Sequence, residues 1–136
     1  MATKASKKKG STASAKGAAS RKTTLPVLGK GEINRGITLH EGKLAHLIEL
    51  PGEFTGTHVE ATKWAKEQGG ELPSRIDGIV LFDGKCGWAR DWYWLAPQPA
   101  AVAGCAWGQG FGYGSQGWDA VSGRCRARAV RRVVIQ

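Results

Sequence analysis

The sequence has no apolar run long enough to cross a membrane and no apolar segment before residue 25 of the kind that follows the basic start of a secretory signal. A membrane span and a signal peptide are therefore not expected. Only three cysteines are present, Cys86, Cys105 and Cys125, at spacings that match no zinc finger or ribbon, and His40, His46 and His58 are not paired with them. Reduced thiols are expected, with one disulfide between two of them left open, and no metal site or other cofactor is expected. The first 24 residues lack any acidic or aromatic residue. Their Lys, Ala, Ser, Gly and Thr cannot bury enough surface to offset the entropy of ordering, so a disordered basic tail over 1–24 is expected.

That tail changes the meaning of the net charge. The chain of 136 residues carries a formal +9, but seven of its 20 basic residues lie in the tail, leaving 13 basic against 11 acidic residues beyond it. The remainder is nearly neutral. Lys7, Lys8, Lys9, Lys16, Arg21 and Lys22 are candidate contacts to nucleic acid, by phosphate neutralisation, or to an acidic protein lattice; a merely solubilising leader is the competing reading.

After a linker over 25–35, one domain over 36–136 is expected. Ile37–His40 and Leu44–Leu50 flank the turn Glu41–Gly42 and predict a β-hairpin closed by Pro51–Gly52. His46, among apolar neighbours, reads as structural rather than as a metal ligand. Thr57 and Glu60 form a capping box for a first helix that carries Ala61, Trp64 and Ala65 and ends at Gly69–Gly70, with Trp64 as a core anchor. Ser74 and Asp77 repeat that logic for a short second helix through Ile79, Val80, Leu81 and Phe82, weakened by Gly78 by about 1 kcal/mol relative to alanine.

The second half is strand-like. Trp92–Trp94 predicts an aromatic strand, and Cys105, Trp107, Gln109, Phe111 and Tyr113 alternate with Ala106 and with glycines at 108, 110, 112 and 114. One face is bulky and the other bare backbone, which predicts close approach by a neighbouring element of the same chain in preference to a partner. A loop over Ser115–Asp119 precedes a last strand from Arg124 to Ile135 whose register shifts near Arg131–Arg132. Arg124, Arg126 and Arg128 share a face and read as structural arginines pairing with Glu49, Glu53 or Asp91, in preference to an anion-binding stripe.

The ordered segments His46–Glu53, Ala61–Ala65, Gly69–Arg75, Trp92–Trp94, Ala106–Phe111 and Arg126–Arg132 together resemble a family of phage and prophage domains of unknown function related to the C-terminal domain of the Lcl collagen-like adhesin. The resemblance covers about a hundred residues and rests on several motifs in order. It implies an α+β, C-type-lectin-like fold: two helices packed on a curled antiparallel sheet, with terminal strands pairing near each other. The chain departs from extracellular C-type lectins, which need four cysteines, and from calcium-dependent sugar binders, since Trp118-Asp119 stands without the accompanying acid-and-amide cluster. Formylglycine-type catalysis, another use of this fold, needs paired reactive cysteines, whereas Cys105 and Cys125 lie on glycine- and alanine-rich strands with no activating group beyond nearby arginines.

The expectation is a non-enzymatic phage or prophage protein, a virion-associated tail or capsid component assembled in the host cytoplasm. Tyr113, Ser115, Gln116, Trp118 and Asp119 are its candidate ligand-binding residues, because exposed Tyr and Trp with small polar neighbours suit adaptable surfaces. Expected partners are other virion proteins or a host-surface ligand, in a homo-oligomer or larger assembly and without membrane insertion. The alternative is an intracellular phage accessory protein that binds nucleic acid through its basic arm; a cysteine-dependent oxidoreductase is a weaker third.

Overall fold

The computed structural model describes residues 24–98 and 102–136. The expected disorder of the tail, and its six candidate contact residues, lie outside them except for Thr24 at the tail's end. The described chain is α+β, with two helices and two sheets. Strand β1 (Ile33–His40) and β2 (Lys43–Glu49) form the expected hairpin around Glu41 and Gly42, both at positive φ (50° and 77°), as a two-residue hairpin turn requires. β1 starts inside the segment read as linker: Ile33 pairs with Glu49, and Arg35 reaches across to the Glu49 carboxylate at 2.9 Å.

β3 (Phe54–Gly56) leads into α1 (His58–Glu67), where the Thr57 hydroxyl accepts from the Glu60 N–H and the Glu60 carboxylate accepts from the Thr57 N–H at 3.0 Å. α2 (Arg75–Asp83) begins with the same device, built from Ser74 and Asp77. Trp64 is half-buried, stacked on Phe54 with ring centroids 5.6 Å apart, and so sits at the margin of the core. Gly78 has a packing reason: a Cβ there would fall 2.3 Å from the Gln109 Oε1, and the Gln109 amide donates to the Gly78 carbonyl at 2.6 Å.

The remaining strands are β4 (Trp92–Trp94), β5 (Cys105–Gly110), β6 (Gln116–Ala120), β7 (Cys125–Ala127) and β8 (Val130–Val134). Two expectations are corrected here. The segment read as a loop at 115–119 is largely strand β6, antiparallel to β5 with Trp107 opposite Trp118, and the long alternating run ends at Gly110 because 111–114 turn the chain back, the Gly114 N–H donating to the Gly110 carbonyl. The single last strand is two strands in different sheets. Its break falls at Arg128–Ala129, not at Arg131–Arg132, since β7 pairs with β3 and β8 with β2.

The sheet orders are β1-β2-β8 and β3-β7-β4-β5-β6, antiparallel apart from the parallel contact of β4 with β7 at Tyr93 and Arg126. Two clusters fill the interior. Ala61 and Ala65 of α1 pack with Leu50, Leu72, Trp94, Ala106 and Ala127, and the Trp94 indole donates to the Gly56 carbonyl at 2.8 Å. Beneath α2, Leu47, Leu81 and Val130 join an aromatic nest of Trp88, Tyr93 and Phe111 with ring centroids 4.8–5.2 Å apart. Fully burying side chains of this size contributes about 1.5–3 kcal/mol each. His46 is buried as expected, but only its Nδ1 has a neighbour, the Asn34 amide at 3.4 Å, while Nε2 has no partner.

Candidate functional site

The polar residues divide into those that hold the fold and those that face outward. Along residues 124–132 the arginines each meet a carboxylate. Arg126 donates to Asp91 (2.9 Å) and Glu53 (2.8 Å), Arg128 to Glu53 (3.2 Å) and Glu49 (3.4 Å), and Arg131 to Glu32 (2.7 Å). Arg132 grips the fully buried Asp77, which also accepts from the Thr38 hydroxyl at 2.6 Å, and reaches Glu71 at 2.7 Å. Arg124 lies 3.7 Å from Glu60. These are structural arginines. Arg131 lowers the Glu32 carboxyl, and the Trp92 N–H followed by Arg126 lowers that of Asp91. The buried Glu49 additionally accepts from the Trp88 indole at 2.8 Å.

The outward-facing groups gather on the β4-β5-β6 side of the larger sheet. Side chains alternate along a strand, so Ala106, Gly108 and Gly110 share one face of β5, while Trp107 and Gln109 share the other. On the first face the bare backbone is covered by Trp92: a Cβ on Gly110 would lie 3.2–3.5 Å from its indole atoms. The close approach is intramolecular, as expected. Trp92 nevertheless remains 43% exposed. Arg90, Asp91, Gly112, Tyr113 and Ser115 complete a shallow cleft of about 180 Å³ around it. Tyr113 is 87% exposed, with the Arg90 guanidinium 5.8 Å from its ring centroid. A second recess of about 380 Å³ shares Arg90 and Gly112 and runs on to Lys85, Cys86 and Trp88.

On the opposite face, Trp107 and Trp118 pack as a cross-strand pair with centroids 4.6 Å apart, and the Arg75 guanidinium lies 3.7 Å over the Trp107 ring. Gln116 accepts from Arg75 Nε at 3.0 Å and donates to both the Arg75 carbonyl (2.7 Å) and the buried Gln109 (2.6 Å).

The five candidate ligand residues are thus not one patch. Tyr113 and Ser115 line the Trp92 cleft. Gln116 and Trp118 belong to the Arg75 assembly on the other face, and Asp119 accepts from the Cys125 thiol at 3.7 Å and from the Ala120 N–H. Sequence reading missed Trp92, Arg90, Arg75 and Trp107 as site residues. The signal available for Trp92 was the glycine pair at 108 and 110, which required a covering side chain; Arg75 carried no local signal, because its partners are 32 and 41 residues away.

Two of the three thiols, Cys125 and Cys86, are poorly placed for nucleophilic work. Burial, reinforced by the Asp119 carboxylate, pushes Cys125 up to about 11, and burial raises Cys86 as well, so both stay protonated at neutral pH. No group of three or more potential metal ligands occurs among the described residues. No described helix is long and apolar enough to cross a membrane.

Comparison with protein families, with curated proteins and with solved structures found no match.

Proposed function

We propose that this chain is a non-enzymatic binding component with a C-type-lectin-like domain, carried on a phage or prophage virion, and that it engages its ligand at the Trp92 cleft. The observation that carries the binding reading is the Trp92 indole, packed against the backbone of Gly108 and Gly110 while the residue stays 43% exposed at the mouth of a cleft. A ring held this way loses little freedom when a ligand stacks on it, and apolar rings with adjacent polar groups are what binding surfaces concentrate. Arg90, Ser115 and Tyr113 supply donors and a second ring beside it. The lectin-like fold and the virion setting are supported by the ordered motifs from His46 to Arg132 and their resemblance to phage-borne domains.

The test has two arms. Mass spectrometry of purified particles is expected to find the chain, and the full-length protein is expected to bind particle proteins or host cells, with Trp92→Ala weakening that binding by about tenfold, the loss of one well-stacked ring. Absence from particles overturns the virion assignment, and undiminished binding by Trp92→Ala overturns the cleft. Salt-sensitive binding to DNA of any sequence, lost on deleting residues 1–24, supports the nucleic-acid function in its place.

A further inference from the structure

The geometry points to a second site on the other face of the sheet, in which Arg75 clamps a carboxylate of an acidic peptide segment, with Trp118 and Ile79 taking an aliphatic neighbour of that carboxylate. It is independent of the Trp92 cleft, because Trp92 and Trp107 project from opposite faces of the same strand pair.

Arg75 is held rigidly for a surface residue. An exposed arginine ordinarily samples many rotamers, and freezing it costs up to about 2 kcal/mol of side-chain entropy. Here the guanidinium rests on Trp107 at 3.7 Å and its Nε donates to Gln116. Gln116 cannot rotate away: its amide nitrogen already donates to the Arg75 carbonyl and to Gln109, which is fully buried and itself donates to Gly78 at 2.6 Å. A chain of hydrogen bonds therefore runs from the core to the surface and ends on one nitrogen of the guanidinium.

What the chain leaves over defines the ligand. Among the described residues no carboxylate pairs with Arg75, and its two terminal amino groups have no acceptor, unlike the arginines along residues 124–132. With Nε occupied, the free edge is the pair of terminal nitrogens, the fork that matches two oxygens of one carboxylate. The surroundings select the source. Trp118 is 47% exposed beside the Trp107 ring. Ile79, 57% exposed, lies four residues after Arg75 and so on the same side of α2. One fixed positive charge between two apolar surfaces suits an acidic side chain next to an aliphatic one. A phosphodiester strand would bring successive charges and hydrated sugars against Ile79 and Trp118.

Fluorescence anisotropy on the full-length protein tests this with a labelled, end-blocked peptide alternating leucine and glutamate, and with the same peptide carrying glutamine. The glutamate peptide is expected to bind, and Arg75→Lys, which keeps the charge but not the fork, is expected to weaken it by about tenfold or more, as loss of a charged hydrogen bond implies. Trp118→Ala is expected to weaken it by a smaller factor. The lysines of residues 1–24 contribute the same background to every variant, so binding is compared after subtracting that of the Arg75→Ala variant, and the remainder reads the site. Equal binding by Arg75→Lys, or by the glutamine peptide, overturns the proposal. Stronger competition by inorganic phosphate or oligothymidylate than by the glutamate peptide also overturns it, in favour of a phosphate site. Circular dichroism matching the parent protein confirms that the variants are folded, and movement of the Trp107 indole N–H resonance on adding peptide is the expected NMR signature.

Discussion

Two sets of arginines in this molecule do opposite things. Arg126, Arg128, Arg131 and Arg132, on the last two strands and the break between them, lie within hydrogen-bonding reach of carboxylates from β2, the turns after it, α2 and the N-terminal approach to β1. Arg75, on the Trp107 ring at 3.7 Å, and Arg90, 5.8 Å from the Tyr113 centroid, have no carboxylate partner among the described residues; Arg128 also comes within 5.6 Å of the Trp88 ring, but its charge meets Glu49 and Glu53. The first set ties the two sheets, a helix and the N-terminal segment together; its charge is consumed. In the second set charge is unspent, Arg75 is held in place by Trp107 and Gln116, and both arginines stand beside exposed tryptophan or tyrosine. Residue type alone does not separate structure from binding, whereas the partner of each guanidinium does.

The comparison is broken most easily at its buried end. Asp77→Ala leaves Arg132 without its buried partner and orphans the Thr38 hydroxyl, and a loss of about 3–5 kcal/mol in urea unfolding is expected. A loss below 1 kcal/mol would show that the arginine–carboxylate set is not what holds the sheets. Gly78→Ala sharpens the boundary between the two sets. Helix propensity alone predicts a gain of about 1 kcal/mol, but the added methyl meets Gln109, so a net loss of about 1–3 kcal/mol is expected. The same variant should free Gln116, visible as broadening of the Trp107 indole resonance.

Smaller effects follow from titration. Asp91 and Glu32 have carboxyls lowered in the folded state, so their contribution to stability is present at neutral pH, above the ordinary carboxylate value of about 4, and is lost as pH falls through their folded values. Between pH 7 and 3 the Nε resonances of Arg126 and Arg131 are therefore expected to shift with their partners. That of Arg75, bonded to an amide, is expected to stay still; an Arg75 shift tracking a carboxylate would mean that it has an acidic partner after all. Cys125, held near 11, and Cys86 should resist iodoacetamide at pH 8 in the folded protein and react on unfolding. Rapid labelling of either in the native state would reopen a thiol-based function.

Much of the fold was legible where local chemistry decides it. The two capping boxes at Thr57–Glu60 and Ser74–Asp77, the hairpin around Glu41–Gly42 and the aromatic strand at Trp92–Trp94 each carry their own signal in adjacent residues. The split at Arg128–Ala129 was not legible, because arginine and small residues alternate straight through it and only the pairing partners, β3 for one half and β2 for the other, reveal two strands. Ser115–Asp119 read as a loop for the same reason: its glycine and polar residues have weak strand propensity, and pairing of Gln116–Ala120 with β5 overrides it. In the candidate sites, Tyr113, Ser115, Gln116 and Trp118 stood out as residue types. Their separation onto two faces, and the partners Trp92 and Arg75, depend on contacts that no local pattern contains.

The most direct test sets one arginine of each kind side by side in urea denaturation of the full-length chain. Arg132→Met is expected to lose about 3 kcal/mol or more, since it strands the buried Asp77 carboxylate, whereas Arg75→Met is expected to lose only about 1 kcal/mol, the worth of an exposed cation–π contact and one surface hydrogen bond with no ion pair. Equal losses in the two variants, or the larger loss at Arg75, would contradict the division between arginines that hold the fold and arginines left free to bind.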